Sequence, residues 1–222
     1  MGPFLPFLIV GSGELWLSTQ LPVWAGWFFG WAGAATSYVS LAYFLAQPRM
    51  LGKLDAPRVA TVALMPYHMF ARGAATLVGG RMRKKSVEVS PGLWVGAWPR
   101  QGVPGMAQLD LTAELPRRGE ALRYACVPML DGAPAREKHF LAAVEQALQW
   151  RREGLGVLVH CAYGHGRSVA VCIGVMVAEG LVEEWEEAHR MILQHRPRAR
   201  MTAGQRRLIA RMQPHLLALR SS

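Results

Sequence analysis

The sequence predicts an α/β domain, one central sheet covered by helices, preceded by helical membrane segments. Three observations carry that expectation. Beyond residue 81, short apolar runs alternate with longer stretches of helical character. One such run, Gly156–His160, leads into a glycine-rich loop and then a nearly all-apolar stretch, Val169–Ala178, that stops at Gly180. Residues 1–48 contain no Lys or Arg and a single acid, Glu14.

Residues 1–80 read as a membrane anchor region. Leu21–Ala46 is uncharged. At about 1.5 Å per residue it reaches across a hydrocarbon core of about 30 Å, so a transmembrane helix is expected over about 21–46. Tryptophans near one end and Tyr43 near the other fit interfacial belts. Gly26, Gly30, Gly33 and Ala34 recur at helix-packing intervals and predict a partner helix. A second apolar stretch, about 59–78, is interrupted by Pro66, His68 and Arg72. It either spans beside the first or lies in the interface with Arg58, Arg72 and Arg81 reaching headgroups. Phe4–Val10 is a shorter apolar contact. A positive n-region is missing, so this is not an ordinary signal peptide, and Pro6 departs from the myristoylation pattern. Arg49, Lys53, Arg58 and the cluster Arg81–Lys85 favour a cytoplasmic face for the following domain.

Residues 81–222 are enough for one domain with its own core. Strands are expected near Val87–Val89, Leu93–Gly96, Ala107–Leu111 and Tyr124–Pro128, and helices over Arg136–Arg152, Val182–His195 and Ala203–Leu219. Thr202-Ala203-Gly204-Gln205 fits a helix capping box.

Between strand and helix stands His160-Cys161-Ala162-Tyr163-Gly164-His165-Gly166-Arg167-Ser168. Backbone N–H groups of a tight loop that runs into a helix N-terminus bind a phosphate dianion. Residues Ala162 to Gly166 supply such amides, and Gly164 and Gly166 admit backbone conformations a side chain would block. Arg167 can hold two phosphate oxygens with its planar fork. The same field favours the thiolate of Cys161, whose ordinary pKa of about 8.5 falls to roughly 3.5–7.5 in such surroundings. Ser168 can donate its hydroxyl to the sulfur. His160 can tie down the loop backbone, and His165 can add positive charge below about pH 6.5.

His-Cys-x5-Arg-Ser resembles the signature of the cysteine-dependent protein tyrosine phosphatases, and its surroundings resemble their compact dual-specificity branch. The likeness runs from about Val87 to Met212. Val89–Gly96 is similar to that branch's first hairpin, and Leu109–Leu115 to its next core strand. The resemblance implies Cys161 as nucleophile, the loop amides and Arg167 as phosphate ligands, and phosphotyrosine, phosphoserine or phosphothreonine as substrates. It implies no metal and no cofactor. In that family the general acid lies about thirty residues before the cysteine. Asp131, after an apolar run and before Gly132 and Pro134, has that separation. Asp131 could alternatively cap the helix that follows, and Asp110 reads as a structural residue of its strand.

The formal charge is +10, and no acid follows Glu187 while eight arginines do. No nucleic-acid reading motif accompanies this charge. Beside a membrane anchor, the arginines are expected to face anionic headgroups or to draw in a phosphorylated substrate. Three cysteines without framework spacing point to a reducing compartment, although Cys126 could pair with Cys161 under oxidation. Three functions remain open: a membrane-anchored phosphatase for proteins, one for phosphoinositide or phosphatidylglycerophosphate headgroups, and a silent phosphate-binding module.

Overall fold

The computed structural model describes residues 4–53, 58–80, 86–99 and 101–221. The chain divides into two units, Met1–Thr76 with Ala113–Pro116, and Leu77–Thr112 with Arg117–Ser222.

In the first unit, α1 (Leu5–Gln20) and α2 (Val23–Phe44) pack together as a hairpin turned at Leu21 and Pro22. Small residues set how closely they approach. A Cβ added to Gly11 would stand 2.6 Å from Ser37 Oγ, and one added to Gly33 would stand 2.8 Å from Leu15 Cγ. The partner helix expected for the Gly26–Ala34 face is therefore α1 of the same chain. The apolar contact read as Phe4–Val10 is the start of this longer helix, which continues through Glu14. After a 3-10 turn, Pro48–Leu51, come α3 (Arg58–Ala63) and α4 (Met65–Gly80). Trp31 Nε1 donates to the Ala63 carbonyl at 3.0 Å, and His68 Nδ1 lies 3.2 Å from the Glu114 carbonyl.

Among the described residues, no helix is long and apolar enough to cross a membrane. This corrects the transmembrane helix expected over 21–46 and the spanning alternative for 59–78. With 22 residues α2 has the length, but its Gly, Ser, Thr, Tyr and Trp side chains dilute its apolarity. The second stretch is broken at Leu64, and Pro66 falls in the first turn of α4, where its missing N–H is harmless. The 16 residues of α4 reach only about 24 Å. The cluster Arg81–Lys85 lies outside the described residues.

The second unit holds a five-stranded sheet of β1 (Ser86–Ser90), β2 (Leu93–Ala97), β3 (Val103–Thr112), β4 (Ala121–Met129) and β5 (Val157–Cys161), in the order β1-β2-β5-β3-β4. β1 runs antiparallel to β2, and the remaining pairs are parallel. The helices are α5 (Glu137–Arg152), α6 (Arg167–Ala178), α7 (Trp185–His195) and α8 (Ala203–Ala218). All twelve residues of α6 are buried, against β2 and β5 on one side and α5, α7 and α8 around it. That burial explains its nearly unbroken apolar sequence. The α/β architecture matches the expectation. One boundary matters for the site: α6 starts at Arg167 rather than Val169, because Gly166 is its N-cap.

Candidate active site

The parallel strands β2, β5, β3 and β4 all point their C-terminal ends the same way, and the motif residues gather at that edge. In open α/β sheets this is where ligands bind. Cys161 is the last residue of β5, paired with Ala97, the last residue of β2. Residues 162–166 then turn the chain into α6. This puts Arg167 and Ser168 in the helix's first turn, beside the sulfur.

Cys161 is 2 % exposed. Its sulfur accepts the Gly164 N–H at 3.2 Å and lies 3.5 Å from Ser168 Oγ, which in turn lies 3.5 Å from the Gly96 carbonyl. Both neighbours can donate to a sulfur that carries negative charge.

The loop is held from outside. The carbonyl of Ala162 accepts the Trp98 N–H at 3.2 Å, and that of His165 accepts the Arg200 N–H at 2.8 Å. The carbonyls of Tyr163 and Gly164 accept Nη2 and Nε of Arg196, at 3.0 and 2.6 Å. Four consecutive carbonyls thus point away from the sulfur. Because the C=O and N–H of a trans peptide are opposed, the amides of residues 163–166 point inward. That is an anion cradle. Gly164 makes it possible. Its φ is +68°, and a Cβ there would stand 2.6 Å from the Gly96 carbonyl carbon and 2.7 Å from Ala97 N.

Arg167 is 2 % exposed. Its Nη1 donates to the Met129 carbonyl at 2.8 Å and lies 3.4 Å from the Leu111 carbonyl, while Nη2 meets Asp131 Oδ1 at 3.1 Å. One guanidinium thereby joins the ends of β3 and β4 to the loop that carries Asp131. The N-cap of α5 is Arg136, so Asp131 does not cap that helix.

His160, beside Cys161 in the chain, and Asp110 are fully buried. The Asp110 carboxylate accepts Thr112 N–H and Thr112 Oγ1–H at 2.8 Å each, and the Tyr124 hydroxyl at 2.9 Å. Burial, and then the Asp110 charge, raise the Tyr124 pKa, so its phenol keeps its proton. His160 Nε2 lies 2.9 Å from Gln108 Nε2 and 3.8 Å from Asp110 Oδ2. Asp110 is thus a structural residue, as expected, locked in a network with the histidine that precedes Cys161.

The positive charge considered for His165 requires a lower pH than about 6.5. Burial, followed by the charges of Arg196, Arg198 and Arg200, pushes its pKa below the ordinary histidine value. Gln205 closes the capping box: its N–H reaches Thr202 Oγ1 at 3.2 Å, and its Oε1 accepts the Thr202 N–H at 2.9 Å. The same side chain packs on the loop, since a Cβ on Gly166 would stand 2.9 Å from Gln205 Oε1. Cys126 cannot bridge to Cys161. β3 separates their strands, and two strand spacings, about 9–10 Å, exceed what a disulfide spans. Burial raises the Cys172 pKa and leaves it a thiol.

The sequence singled out neither Trp98 nor Arg196, which counted only as one more arginine of a basic surface. Arg196 is instead 6 % exposed. The Arg196-Pro197 step after an amphipathic helix was the available signal. Other arginines of the run are also engaged within the domain, Arg211 with Glu137 and Arg220 with Glu183 and the Val177 carbonyl.

No family model matches the chain. Two curated proteins, dual specificity protein phosphatase 12 of Mus musculus and of Rattus norvegicus, are each 31% identical over 153 residues, covering 62% of this chain and 44% of theirs. The chain therefore spans less than half the length of these relatives. Among solved structures, the human tyrosine phosphatase-like serine/threonine/tyrosine-interacting protein aligns with a TM-score of 0.53 at 19% identity, covering 61% of this chain and 99% of that one. A mouse protein described as a dual specificity phosphatase, complexed with zinc tungstate, aligns with a TM-score of 0.51 at 22% identity, covering 62% and 92%. The α/β fold is that of the dual-specificity phosphatases.

Proposed function

We propose that this chain is a phosphatase that hydrolyses phosphate monoesters through a cysteinyl-phosphate intermediate. One observation carries the reading: Cys161 Sγ lies at the mouth of α6, under four inward amides, with the Arg167–Asp131 pair beside it. The phosphate dianion settles among the amides, and its oxygens compete with Asp131 for the Arg167 fork. The sulfur attacks phosphorus, an S–P bond forms, and the P–O bond to the leaving group breaks. Asp131, as the acid, passes its proton to the departing oxygen. Water then attacks phosphorus and gives a proton to the Asp131 carboxylate. The S–P bond breaks, and the sulfur leaves as an anion beside Ser168 Oγ–H and Gly164 N–H. The inward amides and Arg167 stabilise charge on the equatorial oxygens in both steps.

Phosphorylated tyrosine, serine and threonine in proteins are the preferred substrates. The rodent relatives' name supports this, as do the neutral Ala162 and Tyr163 and a His165 whose pKa burial lowers. Phosphorylated lipid headgroups are the second reading. It is favoured by the apolar surface of the first unit, where Val23, Trp24 and Trp27 are 77–80 % exposed. That surface also supports a place for the protein on a membrane, and the basic residues Arg49, Lys53 and Arg58 are the ground for putting the catalytic unit on its cytoplasmic side. Parallel phosphate release from phosphopeptides and short-chain phosphoinositides ranks the two substrates, with Cys161→Ser expected to abolish both. Phosphopeptides left untouched while the lipids are hydrolysed would reverse the order. Release by Cys161→Ser equal to wild type would end the phosphatase reading.

A further inference from the structure

We propose that Arg196, twenty-eight residues beyond Ser168 in the chain, is a positioning residue of the catalytic loop: its guanidinium holds the Tyr163 and Gly164 carbonyls outward and so decides which way the anion-binding amides face. The inference rests on the phosphatase reading above and deepens it.

Each carbonyl of the loop is coupled to the next residue's N–H, which points the opposite way. With the Tyr163 carbonyl held on Arg196 Nη2, the Gly164 N–H is turned to the sulfur, where it is found at 3.2 Å. With the Gly164 carbonyl held on Arg196 Nε, the His165 N–H is turned the same way. If either peptide flipped, a carbonyl dipole would replace an amide in the cradle and repel the phosphate. The outer pair of carbonyls, Ala162 and His165, is held by backbone donors from Trp98 and Arg200. The central pair is held by the Arg196 side chain.

The fold commits that side chain to the task. Arg196 ends α7, its own N–H bonded to the Ile192 carbonyl at 2.8 Å. Its carbonyl accepts the Ala199 N–H at 2.9 Å, in the turn that brings Arg200 N to the loop. Burial works against the charge of Arg196, and the Cys161 sulfur works in its favour. A buried guanidinium is costly unless its donors are used, and here they are spent on loop carbonyls. The clamp also leaves no room for a side chain at 164: a Cβ there would stand 2.7 Å from Arg196 Nη2. A lysine keeps the charge but cannot serve two carbonyls in one plane.

The full chain carrying Arg196→Lys or Arg196→Met tests this, with hydrolysis of p-nitrophenyl phosphate and inhibition by vanadate and by inorganic phosphate as readouts. Vanadate bound to the sulfur mimics the five-coordinate transition state, whereas inorganic phosphate reports ground-state binding. Arg196→Met should lower kcat about 100-fold, in the range for losing an oxyanion donor, and weaken vanadate by a similar factor, while phosphate inhibition weakens and KM rises by a smaller factor, because the transition state leans harder on the amides than the bound dianion does. Arg196→Lys should fall between Arg196→Met and wild type. If Arg196→Met does not fold, Arg196→Lys carries the test, with a loss of about tenfold in kcat and vanadate affinity expected. Folded variants with wild-type kcat and vanadate affinity would overturn the clamp. So would variants in which KM and kcat/KM change while kcat does not. A wild-type chain that neither hydrolyses the ester nor binds vanadate would overturn the phosphatase reading, and the clamp with it.

Discussion

In the proposed reaction, Asp131 and Arg167 couple recognition to chemistry as one residue pair. Asp131 Oδ1 lies 3.1 Å from Arg167 Nη2, and Asp131 is the proposed acid. Removing it should hurt most when the leaving group most needs a proton. Asp131→Asn is expected to lower kcat about 100-fold on alkyl phosphates but only a few-fold on p-nitrophenyl phosphate, whose leaving group departs as a stable anion. Equal losses on both would remove Asp131 from the acid role. Cys161, Arg167 and Ser168 were legible because covalent spacing alone brings them together. Asp131 was legible only through a family's habitual separation, since no local rule says where the loop after β4 turns. Arg196 was illegible. Its contacts belong to a residue 32 positions earlier, and its neighbours in sequence are exposed arginines.

At the scale of elements, the α1–α2 hairpin shows what an apolar count misses. Helix character was plain, but length without charge was taken for a span, whereas what those residues do is pack two helices at Gly11, Gly26 and Gly33. Leu8, Ile9 and Val10 on α1, and Trp24, Trp27 and Phe28 on α2, remain exposed. Consecutive exposed apolar residues cover more than one stripe of a helix, as an interfacial surface does. The proposed membrane association therefore predicts that the full chain floats with lipid vesicles. Trp24→Ser with Trp27→Ser should weaken that binding about tenfold, for the loss of two large apolar side chains. A chain that stays in the soluble fraction would overturn the membrane reading and leave the catalytic one standing. The catalytic elements were easier to read. β5 and α6 are buried on every side, and burial leaves an apolar signature that solvent-facing strands such as β4 lack.

At the scale of the whole molecule, His68, His165 and His189 are each pushed below their ordinary pKa, mainly by burial. Each binds a proton less readily folded than unfolded. Their contribution to stability is therefore fully present above about pH 6.5 and is lost as pH falls from there through the folded values. Thermal melts should show Tm declining from pH 7.5 towards 5.5. Replacing the three by Asn should flatten that part of the profile, and an unchanged slope would refute the assignment. The two units bear differently on function. The second contains the residues of the candidate active site, and the first presents the apolar surface.

By itself, the sequence determined the α/β class, the strand–loop–helix around Cys161 and the chemistry that loop offers, because periodicity and covalent spacing are local and survive in one dimension. Tertiary structure alone decided which outside groups hold the loop carbonyls, that Asp131 meets Arg167, that burial lowers the His165 pKa, and that α2 spends its glycines on α1. Each of these depends on distance and burial between residues far apart in the chain, and no pattern of neighbours records them.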